Sequence, residues 1–189
     1  METTEKIVEA YVRYVKGWAT IPNIRCPGQK EIDLLALDPR DGSRYHIESG
    51  VSVSQKFSSL TAKPFDKDLL RVRVQKPSQR RTLGYFLAEK FTHPDVQNAL
   101  ARYNFAPGNY TKVIVTWGAD DEARVQARAA GVDVWDFRRI VREISESVHG
   151  KRTYFTDDTL RTIHLFSRAL GDRDGRADDD VDSAGAPVP

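Results

Sequence analysis

The chain has 189 residues, 29 Lys and Arg against 27 Asp and Glu, a formal net charge of +2 and 40% hydrophobic content. That length suffices for one domain with a real core and an extension, while the near-balanced charge excludes a uniformly basic nucleic-acid binder, so any such surface must be local. One cysteine, Cys26, excludes a disulfide framework and a cysteine-rich zinc site. The longest uncharged stretch, Tyr103 to Thr111, falls far short of a helical membrane span. Glu2, Glu5, Lys6 and Glu9 do not suit a signal peptide, so a soluble, cytoplasmic protein is expected.

In chain order, Ile7, Val8, Tyr11, Val12 and Val15 form one helical stripe over residues 4–16. Thr3 or Thr4 is the expected cap and Gly17 the stop. Trp18 to Ile24 reads as a strand ending near Pro27-Gly28, and Glu31 to Asp38 as an apolar run broken by one carboxylate. Turn chemistry at Pro39-Arg40-Asp41-Gly42 leads into an alternating strand from Arg44 to Ser54, so a hairpin is predicted. From Gln55 to Pro107 the pattern is irregular and mostly helical, with helices near 80–91 and 94–104 and Pro94 in a first turn. Lys112 to Trp117 is a fully apolar strand of the kind buried on both faces. An alanine-rich helix from Asp120 to Ala130 is closed by Gly131. Val132 to Trp135 is a further strand, with a helix from Arg138 to Val148 after it. Strand, helix, strand at this length implies a parallel pair. A last helix, Asp157 to Leu170, follows Thr156 as cap, and residues 171–189, with six Asp against two Arg and no apolar period, read as a disordered acidic tail. The globular domain is therefore taken as 1–170, with 55–107 as a helical basic insert between core strands.

Between Lys56 and Arg81 stand eight basic residues, Lys56, Lys63, Lys67, Arg71, Arg73, Lys76, Arg80 and Arg81, against Asp66 and Asp68. Such a run is either a solvated face or a phosphate-binding edge, which needs spread cations rather than a fixed motif.

Two acids lie inside apolar strands: Asp33 within Ile32 to Leu37, and Glu48 between Ile47 and Val51. A bare carboxylate in a buried strand is expensive unless it is paired, protonated or bound to a cation. The predicted hairpin brings Asp33 and Glu48 side by side, where two like charges within about 4–6 Å raise a pKa or call for a divalent metal. Hard oxygen ligands with open positions suit Mg²⁺. The other reading of the same spacing has each acid solvated at a strand end. His46 shares the Glu48 face of its strand and is a candidate site base; His93, His149 and His164 lack ligand spacing and read as surface or packing residues. Trp18, Trp117 and Trp135 read as core.

Helix, strand, a strand carrying Glu31-Ile32-Asp33, a hairpin and a strand with an internal Glu48 together resemble the PD-(D/E)xK nuclease superfamily. The nearest branch is that of Mrr-type restriction endonucleases and archaeal Holliday-junction resolvases. Val113-Ile114-Val115-Thr116-Trp117-Gly118, the alanine-rich helix and Gly131 to Phe137 are similar to the second half of that core, so the resemblance covers roughly residues 4–145. It implies a restriction-endonuclease-like α/β fold: a central mixed sheet, antiparallel over its first three strands and parallel at its last, flanked by helices. By position it implies Asp33 and Glu48 as ligands of Mg²⁺ or Mn²⁺, with a further acid on the first helix, Glu5 ahead of Glu9. A lysine normally follows the second acid by two residues and neutralises developing charge. Here that position is Gly50. Either the lysine has migrated, with Lys56, Lys63 or Lys30 reaching the same space, or the site has lost its cation. Lys56 has the parity of Glu48 but lies roughly 26 Å away on a straight strand.

The expected function is Mg²⁺-dependent cleavage of DNA phosphodiester bonds, with Lys63, Lys67, Arg71, Arg73, Lys76, Arg80 and Arg81 as the nucleic-acid contact. The alternative is a catalytically impaired nuclease fold serving as a nucleic-acid-binding or partner-binding subunit. A two-fold homodimer is the form in which such nucleases cut both strands.

Overall fold

The structure is a computed structural model that describes residues 2–52, 59–71 and 77–171. Its described residues fall into two compact units, divided after Arg142.

The first unit is built on a five-stranded sheet. Its strands are β1 (Ala19–Cys26), β2 (Lys30–Leu37), β3 (Arg44–Ser49), β5 (Thr111–Thr116) and β7 (Val132–Asp136), and they lie in the order β1-β2-β3-β5-β7. Pairs β1/β2 and β2/β3 are antiparallel and β3/β5 and β5/β7 are parallel, which is the mixed α/β sheet expected. β5 is flanked on both sides, and its Val113, Ile114 and Val115 are fully buried, as an uninterrupted apolar strand requires. β1 runs past its apolar stretch because Arg25 and Cys26 still pair with Glu31 and Lys30, and Pro22, which has no N–H, is tolerated because β1 is an edge strand. β3 is shorter than expected: its pairing ends just past Ser49, where the Gly50 N–H donates to Val115 O at 2.8 Å. Val53 and Ser54, the last residues of the expected strand, lie outside the described residues.

Helix α1 (Thr3–Ala10) is continued by a π-helical turn, Tyr11–Val15, and closed by Gly17 at φ +74°. Its cap is Glu2, not Thr3 or Thr4: the Glu5 carboxylate accepts the Glu2 N–H at 2.8 Å, satisfying a donor that the first turn leaves open. In the 55–107 region, β4 (Ser59–Leu60) pairs in parallel with β6 (Gly118–Ala119), and α2 spans Lys67–Arg71. A 3₁₀ turn, Pro77–Arg81, then leads into α3 (Leu83–Tyr85). The helix expected at 80–91 is therefore composite, because α3 passes into a π-helical segment, Phe86–Phe91, whose end is marked by the Thr92 N–H bonding to Leu87 O at 2.9 Å. α4 (Pro94–Arg102) carries Pro94 in its first turn. Val96, Ala99 and Leu100 of α4 pack with Phe105 against Ile24, Cys26, Ile32 and Leu35. A second cluster joins Leu83, Phe86 and Phe91 to Ile114, Val132 and, from α5 (Asp121–Ala129), Ala123 and Ala127. Trp18 is buried and stacks on Tyr45 at 4.2 Å, whereas Trp117 and Trp135 are only half-buried.

α6 (Phe137–Val148) crosses the division between the units. In the second unit α7 (Asp158–Gly171) is capped by Asp157, which accepts the Leu160 N–H at 2.9 Å, not by Thr156. Residues 172–189, including nearly all of the expected tail, lie outside the described residues.

Candidate functional site

The β2/β3 hairpin sets the register of the two strand acids. Leu34 stands opposite Ile47, so Asp33 stands opposite Glu48, and opposite residues of an antiparallel pair share a face. Their side chains and backbone interlock: the Ser49 N–H donates to Asp33 Oδ2 at 2.7 Å, and the Asp33 N–H points at Glu48 Oε1 at 3.4 Å. Asp33 is 8% exposed and Glu48 fully buried. The alternative of two acids solvated at strand ends is thus not what the fold builds.

A lysine does reach them, and it is one that sequence reasoning missed. Lys90, on the π-helical segment, places Nζ 3.1 Å from Asp33 Oδ1 and 2.5 Å from Glu48 Oε2, with Glu31 O at 3.2 Å. The same segment explains the glycine. A Cβ on Gly50 would lie 2.5 Å from Phe86 Cζ, and Phe86 is buried core. The helical segment therefore closes the strand position with one residue and returns an ammonium with another, four residues later. Of the lysines considered from sequence, Lys30 is ion-paired with Glu89, which Lys67 also approaches at 3.5 Å. Lys63 is exposed and does not line the site cavity, and Lys56 lies outside the described residues. The only local sign of Lys90 was its place in a predicted helix.

Two carboxylates share one ammonium here, and burial dominates their titration. Burial and then the charge of Glu48 push Asp33 up to about 7, against the pull of Lys90. Burial likewise pushes Glu48 up to about 7, with Lys90 opposing. Burial would lower Lys90, but Glu48 and Asp33 together outweigh it and hold the ammonium charged well above the usual lysine range. His46 does not reach the cavity as a base would need to. It is fully buried, with Nε2 2.7 Å from Glu48 Oε1, and burial holds its pKa down to about 3.

Asp33 and Lys90 line a cavity of about 410 Å³, together with Glu2, Glu5, Glu89, Lys30, Ser49, Arg80 and Arg81. Burial first, and Asp33 among the charges, raises the Glu5 carboxyl. Glu9 points elsewhere, accepting the Thr20 hydroxyl at 3.2 Å and lying 3.7 Å from Arg13. From the basic run, Arg80 is exposed at the cavity, and the half-buried Arg81 guanidinium donates to Gly50 O. Arg71 ends α2, and Arg73 and Lys76 lie outside the described residues.

Among the described residues no three His, Cys, Asp or Glu converge as a metal cage. Asp33 at the cavity wall and the fully buried Glu48 behind it, both in contact with Lys90, still fit Mg²⁺, which commonly takes only one or two protein carboxylates. The buried Glu48 Oε2, which meets the Lys90 ammonium at 2.5 Å, is the oxygen such an ion would take over. Asp33 and Glu48 would hold such an ion. Elsewhere, His93 accepts the Asp95 N–H at 3.3 Å in capping α4, His149 lies 3.1 Å from the Ser167 hydroxyl, and His164 packs on Phe155.

No protein-family model matches the chain, and no curated protein does. A solved structure described as "Crystal Structure of Protein of Unknown Function AF1548" is similar at a TM-score of 0.42 and 14% identity, over 89% of this chain and 97% of that one.

Proposed function

We propose that this protein is a Mg²⁺-dependent endonuclease acting on DNA phosphodiester bonds, with Asp33 and Glu48 as metal ligands and Lys90 as the active-site cation. The observation that supports it most is one ammonium at the wall of an arginine-flanked cavity contacting two cross-strand carboxylates, Asp33 beside it and the buried Glu48 behind. In the nuclease superfamily it resembles, that charge comes from the strand; here it comes from a helix. Bound between the two acids, Mg²⁺ would supply charge neutralisation at the scissile phosphate and a lowered pKa for the attacking water. Lys90 donates to the phosphoryl oxygens as their charge builds, and Arg80 neutralises a neighbouring phosphate. A two-fold homodimer would present two such sites to a duplex. No described helix is long and apolar enough to cross a membrane.

The test is cleavage of supercoiled and branched DNA in Mg²⁺ or Mn²⁺ by the wild type, Lys90→Met and Asp33→Asn. Wild-type cleavage is expected, falling by about 10²-fold or more in each variant, with circular dichroism unchanged. A second reading, the catalytically impaired subunit, is favoured by Lys90 already lying on both acids where a divalent ion would bind. Salt-dependent DNA binding without cleavage in either metal would select it. No DNA binding at any salt would remove the nuclease and leave the subunit reading only in its partner-binding form.

A further inference from the structure

The His46–Glu48 pair goes beyond what the nuclease reading requires. His46 lies two residues before Glu48 on β3, its ring edge-on to Phe91 at 4.9 Å and tilted against Tyr110 at 6.0 Å. Its strand partner is Leu35, so the surroundings would accept an apolar side chain. An imidazole there leaves Nδ1 buried without a partner among the described residues, which is costly unless the other nitrogen does something useful. That nitrogen, Nε2, lies 2.7 Å from Glu48 Oε1, which the Asp33 N–H also approaches; the other oxygen, Oε2, faces Lys90. A carboxylate oxygen is an acceptor, so the neutral ring carries its proton on Nε2.

We propose that His46 is a positioning residue that ties up Glu48 Oε1, leaves Oε2 as the single oxygen that an ion takes over from Lys90, and so biases the site toward Mg²⁺ and against Ca²⁺. The inference rests on the metal reading above. Its physical basis is that Ca²⁺ readily takes both oxygens of a carboxylate within six to eight ligands, whereas Mg²⁺ demands octahedral geometry. Partners that hydrogen-bond a ligating group govern its metal affinity by about 10–100-fold.

The experiment is calorimetric titration of the metal-free protein with MgCl₂ and with CaCl₂ for the wild type, His46→Leu and His46→Gln. The Mg²⁺-to-Ca²⁺ affinity ratio should fall about tenfold in His46→Leu and stay near wild type in His46→Gln, which retains an N–H donor of similar reach. The ¹⁵N spectrum of the wild type at neutral pH should show Nε2 protonated and Nδ1 bare, a measurement that decides even where His46→Leu fails to fold. A wild-type ratio in a folded His46→Leu, or a proton on Nδ1, overturns the role of His46 alone. A wild type that binds neither ion overturns the metal reading together with it.

Discussion

Gly50 and Asp33 show how single residues answer to the site. At position 50 a Cβ would sit 2.5 Å from Phe86 Cζ and 3.3 Å from Arg81 Nη1. Placing a lysine two residues after Glu48 by Gly50→Lys should overpack the core. We expect a loss of about 1–3 kcal/mol in urea unfolding and no faster cleavage. At position 33 the carboxyl titrates near 7 in the folded chain against its usual 3.8. The native state therefore holds this proton more tightly than the unfolded state, and the stability it contributes is present below about pH 4 and lost as pH rises through 7. Asp33→Asn leaves one ammonium facing one carboxylate. In metal-free buffer it should flatten the fall in urea midpoint between pH 5 and 8 and stabilise the protein at pH 8 by on the order of 2 kcal/mol.

At the scale of elements, the basic run is not one stripe. Lys67 leans toward Glu89, Arg81 ties the 3₁₀ turn to the end of β3 through Gly50 O, and Arg80 stands exposed at the cavity. The two arginines should therefore separate. Arg80→Ala is expected to lower the salt slope of DNA binding by about 1 with unchanged thermal stability. Arg81→Ala should cost about 1–3 kcal/mol, because it strips a charged donor from a part-buried carbonyl. Equal slopes for Arg80→Ala and the wild type would return this stretch to a solvated face. The π-helical segment beside the turn matters equally, since its winding decides that Phe86 enters the core while Lys90 turns to the acids.

At the scale of the molecule, folding brings two buried carboxylates together against a single ammonium, and a divalent cation that binds only this arrangement must stabilise the whole fold. Mg²⁺ at 100 times its dissociation constant should raise unfolding free energy by about 2.7 kcal/mol, a gain that a chelator reverses and Asp33→Asn abolishes. Scanning calorimetry with and without Mg²⁺ measures it. An equal rise in Asp33→Asn would place any bound ion elsewhere.

What the sequence by itself determined is local. Side-chain alternation and the Pro39–Gly42 turn were enough to set the β2/β3 hairpin and with it the facing of Asp33 and Glu48. The apolar run of β5, the alanine-rich helix and β7 were enough for the parallel half of the sheet. These follow from the two-residue period of strands and the chemistry of turns, which act over a dozen or so residues. The tertiary structure alone decided which cation completes the site, why position 50 is glycine, and that His46 is sealed behind Glu48. Lys90 meets Asp33 across 57 residues of chain. No local period encodes that meeting, because it depends on how the Pro77–Phe91 segment docks its buried rings against the sheet.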